Sequence, residues 1–209
     1  MQRKTGGAIT VPVALIPDRD IPPAEAKGLV GDRKTENELT QDEIAARMKT
    51  LRRDVGDPVD AFIADSWTLE FDLALRPGLA ESVHQAVQLA KTSSRQPEWL
   101  AKTVKRASET YAGWKEAGLS LTEIAVKIYQ PIHDKEASKA EVAEQFAALL
   151  LKRTDTPEQM RELLPPYLVR AIHYVTGGYV LGELAIVPDL DDGAEEVRVE
   201  GIDEAAAGA

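Results

Sequence analysis

Two short apolar runs stand out in the first third of the chain, and each leads directly into carboxylates. Residues 11–16 are almost wholly apolar and are followed by Asp18 and Asp20. Residues 59–64 are mostly apolar and lead into a second acidic segment. A short apolar run predicts a strand buried on both faces, as in the centre of a parallel sheet. Because ligands bind at the carboxyl ends of such strands, both acidic segments are candidate sites.

Helical spacing of apolar residues and capping signals predict helices over most of the remaining chain. Thr40 with Glu43 has the spacing of a capping box, Ser120 with Glu123 repeats it, and Ser138 is a further N-cap. The predicted helices cover about residues 40–53, 79–91, 97–114, 121–129, 139–152 and 167–176, with a short one from 157. The predicted irregular segments are a loop at 24–38 and a turn at 131–134.

These elements predict an α/β fold with a parallel sheet and an inserted helical subdomain. The sheet and its flanking helices are expected to occupy residues 8–75 and 131–176, with residues 76–130 as the helical insert. Residues 177–209 are acidic and rich in Ala and Gly towards the end, a composition typical of a partly disordered tail.

Composition narrows the classes of function. The chain has 25 Lys and Arg against 35 Asp and Glu, so its net charge is −10. Because DNA is also negatively charged, a DNA partner would need a local basic patch or bridging metal ions. The absence of cysteine excludes disulfides, thiolate zinc sites and cysteine nucleophiles. No apolar run approaches the roughly 20 residues of a membrane span, and no signal peptide is evident. We therefore expect a cytoplasmic protein that does not enter membranes.

Asp18 and Asp20 are the first candidate for chemistry. Two carboxylates at positions i and i+2 after a buried strand are able to share one divalent cation, and their hard oxygen ligands suit Mg²⁺ or Mn²⁺. The alternative is that they cap a loop before Pro22. Arg19, between them, is expected to point outward into solvent.

Glu70 and Asp72 form the second acidic pair. In a helix these positions are about 200° apart, so one carboxylate is expected to face a site that the other does not, and Glu70 has the better claim. The alternative is that both are first-turn acids favoured by the helix dipole. Lys139 lies in the first turn of its predicted helix, where a cation opposes the dipole, so it is either functional or a solvated surface lysine. Trp67 is expected to be a packing residue.

Other motifs of catalysis are missing. The sequence contains neither a P-loop nor a Gly-x-Gly-x-x-Gly or Gly-x-Ser-x-Gly motif, so ATP hydrolysis by this chain, dinucleotide binding and a hydrolase elbow are not indicated. His84, His133 and His173 lack a second histidine or cysteine at metal-ligand spacing.

Taken in order, several segments resemble one family, the overcoming-lysogenization-defect (OLD) nucleases. Residues 13–20 look like the Asp-x-Asp strand of a Toprim domain, and residues 67–74 look like the Thr-Leu-Glu-x-Asp-Leu signature of these nucleases. Residues 138–143 are similar to their later lysine-bearing helix, and residues 165–176 to their C-terminal helix. The resemblance implies a Toprim-like core with a parallel sheet that is incomplete at its N-terminal side.

In that family an ATPase half precedes a Toprim nuclease half that cuts DNA with two metal ions. The resemblance implies that Asp18 and Asp20 bind Mg²⁺ or Mn²⁺, that Glu70 holds a second ion, that Asp72 assists, and that Lys139 steadies the scissile phosphate. The expected function is therefore that of a DNA endonuclease module acting by two-metal phosphodiester hydrolysis. Metal ions that bridge protein acids and DNA phosphate would also reconcile the net charge of −10 with a DNA substrate. Homo-oligomerisation is left open.

The family pattern also places a glutamate on a strand upstream of Asp-x-Asp, whereas residues 1–10 contain no acid. We therefore expect a fragment that lacks this glutamate and the ATPase half, or a site completed by another domain or chain. One alternative is a catalytically inactive Toprim-like binding module. Another is a haloacid-dehalogenase-type phosphohydrolase with Asp18 as nucleophile, although Pro22 stands where that class usually has Thr or Val.

Overall fold

The computed structural model describes residues 11–53, 55–56, 58–92 and 96–177 of the 209-residue chain. Over these ranges the protein is mostly helical and contains one small parallel sheet, which is compatible with a general α/β fold. The tail predicted for residues 177–209 lies outside the described residues except for Gly177.

The sheet consists of β1 (Val13–Leu15) and β2 (Val59–Ala61), with Val13 opposite Val59 and Leu15 opposite Ala61. The α-helices are α1 (Lys27–Val30), α2 (Gln41–Leu51), α3 (Leu69–Ala74), α4 (Pro77–Lys91), α5 (Pro97–Glu116), α6 (Leu121–His133), α7 (Lys139–Leu150), α8 (Pro157–Leu163) and α9 (Pro166–Val175). Within the described ranges, none of these helices combines the length and apolar character needed to cross a lipid bilayer.

The helix starts follow the capping signals in the sequence. Thr40 and Glu43 form a capping box at the start of α2, as predicted, and Ser120 and Glu123 do the same for α6. Ser138 accepts a hydrogen bond from the Glu141 amide, which confirms it as the N-cap of α7. Each cap gives a partner to a backbone N–H group that would otherwise lack one in the first helical turn.

Two predicted irregular segments contain more helix than expected. The turn predicted at 131–134 is wrong, because α6 continues through Pro131 to His133 and places Ile132 in the core. The loop predicted at 24–38 includes α1 and two short 3-10 turns, one of them started by Thr35. In both cases buried apolar contacts or a local cap outweigh the polar and proline signals in the sequence.

The prediction that β1 is buried on both faces is also wrong. Val13 and Leu15 are 38% and 36% exposed, and the following Ile16 is 44% exposed. Among the described residues β1 pairs only with β2, and α9 packs against it. A strand with so few neighbours is not covered on both faces, although its composition resembles that of a central strand.

The hydrophobic core lies among the helices rather than against the sheet. Trp67 and Phe71 are fully buried with residues of α4 and α6, which confirms Trp67 as a packing residue. Helix α4 packs against α3, α5, α6 and α7. The predicted helical insert at 76–130 therefore shares a continuous core with the segments on either side of it.

Candidate functional site

The backbone after β1 runs beside the backbone after β2 and carries Asp18 to the start of α3. The Ala64 amide donates to the Pro17 carbonyl at 3.1 Å, and the Asp20 amide donates to the Trp67 carbonyl at 2.8 Å. Asp18 Oδ1 accepts a hydrogen bond from the Leu69 amide at 3.0 Å. Because that amide opens α3, the Asp18 carboxylate is fixed beside the helix that carries Glu70.

Lys139 brings the two acidic segments together. Its Nζ atom lies 3.2 Å from Asp18 Oδ2 and 2.9 Å from Glu70 Oε2. Burial opposes the protonated form of Lys139, but the neighbouring Glu70 and Asp18 carboxylates outweigh it and raise the pKa of the ammonium group. We call Asp18, Glu70 and Lys139 the acid–lysine cluster. It joins residues up to 121 positions apart in sequence.

Glu70 contributes an oxygen that is buried and incompletely satisfied. Its Oε2 atom is inaccessible to solvent and forms the ion pair with Lys139, and no further hydrogen-bond partner contacts it among the described residues. The side chain as a whole is 16% exposed. A carboxylate oxygen in this state has lone pairs available for another cationic or hydrogen-bonding group.

Asp20 does not join the acid–lysine cluster. Its backbone is left-handed, with φ at 61°, and its carboxylate pairs with Arg33 at 2.6 Å and with Arg47 at 3.3 Å. Aspartate adopts this conformation more readily than most residues. The structure therefore does not bring Asp18 and Asp20 onto one ion.

The prediction that Arg19 points outward into solvent is wrong. Its side chain is 16% exposed, donates to the Asp65 carbonyl at 2.9 Å and pairs with Glu36 at 2.8 Å. Arg19 thereby ties the segment after β1 to the segment after β2, and it holds Asp18 in register with α3.

Asp72 serves the backbone instead of the acid–lysine cluster. It is 3% exposed and accepts hydrogen bonds from the amides of Asp65 at 2.8 Å and Ser66 at 3.1 Å. Burial raises the pKa of Asp72 to about 6, although the bonds from these amides act in the opposite direction. Glu70 and Asp72 thus point to different surroundings, as their spacing in a helix requires.

Tyr129 is a neighbour of the acid–lysine cluster that sequence reasoning missed. Its ring centroid lies 4.7 Å from that of Trp67. The charges of Lys139, Glu70 and Asp18 all act on the pKa of its hydroxyl. Burial is the largest effect and raises the pKa of the hydroxyl. In the sequence Tyr129 belongs to the apolar stripe of α6, so no signal distinguishes it from a core residue.

The side chains near Lys139 limit the kind of metal ion that this part of the protein could bind. Within the described ranges, no group of three or more His, Cys, Asp or Glu side chains is arranged to hold an ion. Mg²⁺ is commonly bound by one or two carboxylates with water completing its shell. Asp18 and Glu70 both contact one cation, the Lys139 ammonium, and are therefore the two carboxylates to consider for one such ion. A second ion is not supported by this arrangement, because Asp20 and Asp72 are engaged elsewhere.

No protein-family model matches the chain, and comparisons with curated proteins and with solved structures found no match. The functional interpretation therefore depends on the residues and their geometry.

Proposed function

We propose that the chain is a Toprim-like module of the OLD type that acts on DNA phosphodiesters with Mg²⁺ or Mn²⁺. The observation that carries the proposal is the contact of one ammonium group with two carboxylates from separate segments. The same three residues occupy the positions that the sequence resemblance assigns to metal binding and to the scissile phosphate.

In this proposal Asp18 and Glu70 hold one divalent ion. The Leu69 amide fixes the Asp18 carboxylate, and the buried Glu70 oxygen supplies an acceptor that lacks a hydrogen bond. An ion bound there would polarise a phosphate oxygen and lower the pKa of a bound water.

Lys139 has a separate role in the proposal. A lysine ammonium is charged at neutral pH, and its three N–H donors are suited to a phosphate oxygen. If Asp18 and Glu70 held an ion, it would take the place of the ammonium as their counter-charge, and Lys139 would then be available to the substrate. The side chain is 49% exposed, so it has room to turn towards a ligand at the surface.

Two carboxylates are few for two-metal hydrolysis. The proposal therefore includes a partner that contributes further ligands to the acid–lysine cluster. This partner is either an ATPase domain or another chain. A non-catalytic binding module is the second candidate, and the small donor set favours it. A haloacid-dehalogenase-type mechanism is less well supported, because its second aspartate acts near the first, whereas Asp20 is paired with Arg33 and Arg47.

Calorimetric titration of the chain with MnCl₂ tests the ion site. We expect weak binding that Asp18→Asn and Glu70→Gln each reduce by about tenfold, because each removes an anionic ligand. Asp20→Asn is the matched control, since it makes the same chemical change two residues away and asparagine tolerates a left-handed backbone. Loss of binding in Asp20→Asn alone, or identical titrations for all four proteins, would reject this ion site.

A further inference from the structure

A cleft of about 410 Å³ lies between α4, α5 and α6, formed by residues other than those of the acid–lysine cluster. Three basic side chains, Lys91, Arg106 and Lys127, line it together with Gln88, Thr110 and Trp114. No carboxylate belongs to this lining among the described residues. An acid-free basic cleft is unexpected in a chain with a net charge of −10 and indicates an anionic ligand.

The basic residues of the cleft are incompletely neutralised by the protein. Lys91 pairs with Glu136 at 2.6 Å, but neither Arg106 nor Lys127 forms an ion pair with an acid in the part of the chain that the structure describes. Glu123 lies one turn before Lys127 on α6, and the charge of Lys127 contributes to lowering the pKa of Glu123, although the two side chains do not form an ion pair. Two cations on facing helices are therefore available to a ligand. Arginine binds phosphate through paired N–H donors, and lysine adds a point charge.

The cleft also contains a buried polar group without a partner. His84 is 3% exposed, and its Nδ1 atom has no hydrogen-bond partner among the described residues. Burial lowers the pKa of His84 to about 4, so the imidazole is neutral at pH 7. Its ring centroid lies 4.7 Å from that of the half-buried Trp114. His84 and Trp114 thus give the cleft an aromatic wall, and behind that wall His84 keeps a buried nitrogen without a partner among the described residues.

We propose that this cleft binds a nucleotide, with the phosphate at Arg106 and Lys127 and the base against Trp114 and His84. Its volume falls within the range of small-molecule pockets, roughly 300–1,000 Å³. Aromatic side chains stack on nucleobases without regard to sequence, and an unpaired buried nitrogen favours a ligand with a polar ring edge. A cleft of this volume suits one small nucleotide, and the oligonucleotide in the test below distinguishes that ligand from a nucleic-acid strand.

The nucleotide proposal does not depend on the proposed function. The cleft and the acid–lysine cluster have no residue in common, so each can fail while the other stands.

Calorimetry of the full chain at low salt with AMP, inorganic phosphate, adenosine and a single-stranded oligonucleotide tests the ligand class. We expect AMP to bind at least about tenfold more tightly than inorganic phosphate, and adenosine not to bind measurably. Equal affinity for AMP and phosphate would overturn the assignment of a base site. Equal affinity for AMP and adenosine would overturn the phosphate site, and preference for the oligonucleotide would replace the small ligand with a strand.

Reversing the charges of two basic residues in the cleft tests whether the nucleotide binds there. Arg106→Glu with Lys127→Glu is expected to weaken AMP binding by at least about tenfold, because both phosphate contacts become repulsive. The matched control, Lys105→Glu with Lys152→Glu, makes the same change in net charge at exposed positions outside the cleft and is expected to stay within about twofold. Far-UV circular dichroism checks that both double variants fold, and Trp114→Leu provides a second loss of binding without a charge change. Equal effects of the two double variants would overturn the proposal.

Discussion

The Nζ atom of Lys139 lies 2.9 Å from Oε2 of Glu70, and no hydrogen-bond partner satisfies that buried oxygen among the described residues. The ammonium group therefore occupies the position that the proposed function gives to a divalent ion between Glu70 and Asp18. If the proposed ion site is correct, this lysine stabilises the metal-free fold and competes with the divalent ion for the same two carboxylates.

Removal of the ammonium is expected to separate these two effects. In Lys139→Met the carboxylates of Asp18 and Glu70 lose their shared counter-ion, so the free energy of unfolding without metal should fall by about 1 kcal/mol. Affinity for Mn²⁺ should rise by about tenfold, because a competing positive charge is gone. Thermal unfolding with and without MnCl₂ measures both changes.

Lys152→Met is the matched control for this experiment, since Lys152 is exposed just beyond the end of α7. It is expected to behave like the parent protein in both conditions. The same gain in melting temperature from MnCl₂ in all three proteins would show that the ion binds away from Lys139.

Asp72 predicts a dependence of stability on pH. Its pKa is about 6 in the folded protein, against 3.8 for an unperturbed aspartate, so the folded state holds the proton more tightly. The contribution of Asp72 to stability is therefore present at low pH and is lost as pH rises from about 4 to 6. Asp65 and Tyr167 are the titratable groups that interact with it.

Asp72→Asn removes this titration and leaves a carbonyl oxygen to accept from the Asp65 and Ser66 amides. The free energy of unfolding of Asp72→Asn minus that of the parent should increase by about 1–3 kcal/mol from pH 4 to pH 7, so the variant gains stability relative to the parent. Urea unfolding across that range measures it. A difference that stays constant with pH would contradict the raised pKa.

His84 predicts the opposite trend. Its pKa is about 4 in the folded protein against 6.5, so the unfolded chain binds the proton more tightly. Its contribution to stability is present above pH 6.5 and is lost as pH falls towards 4. Glu81 and Lys91 are the charged groups that act on it.

His84→Gln cannot be protonated in this range. Its free energy of unfolding minus that of the parent should therefore increase by about 1–3 kcal/mol as pH falls from 7 to 4, so the variant gains stability relative to the parent. The same urea series measures both variants, and equal slopes for Asp72→Asn and His84→Gln would contradict this pair of assignments.

Nicking of supercoiled plasmid by the 209-residue chain with MnCl₂ is expected to be slow. Among the described residues, the carboxylates of Asp18 and Glu70 are the two that pair with Lys139. Two-metal cleavage needs more anionic ligands than these two. A partner domain or chain that supplies a further carboxylate should raise the rate, and Asp18→Ala or Lys139→Ala should abolish it. Gel electrophoresis of the relaxed product measures the rate.

The outcomes of the nicking assay separate the candidate functions. Rapid nicking by the chain alone, lost in Asp18→Ala, would support the nuclease and show that two carboxylates are enough. No nicking with a partner domain or chain present would favour the binding module.

Local features of the fold could be predicted from sequence. The capping box of Thr40 and Glu43 involves residues three positions apart, and the divergence of Glu70 from Asp72 follows from helical geometry alone. These arrangements need no knowledge of distant segments, so the pattern of residues determines them.

Features that depend on distant segments could not be predicted from residue patterns. The left-handed backbone of Asp20 is accompanied by pairing with Arg33 and Arg47, which come from later parts of the chain. The exposure of β1 depends on how many elements surround it, which its apolar composition does not reveal. The approach of Lys139 to Asp18 was suggested only by the order of family-like motifs.

The separation of Asp18 and Lys139 by 121 positions has a consequence for biosynthesis. At typical ribosomal speeds of about 5–20 residues per second, the lysine is added on the order of ten seconds after the aspartate. From the addition of Glu70 until the addition of Lys139, both carboxylates are present on the nascent chain without the cation that joins them in the finished protein. The acid–lysine cluster is consequently assembled late in synthesis, and a chain released before α7 would carry two acidic residues with no counter-charge from Lys139.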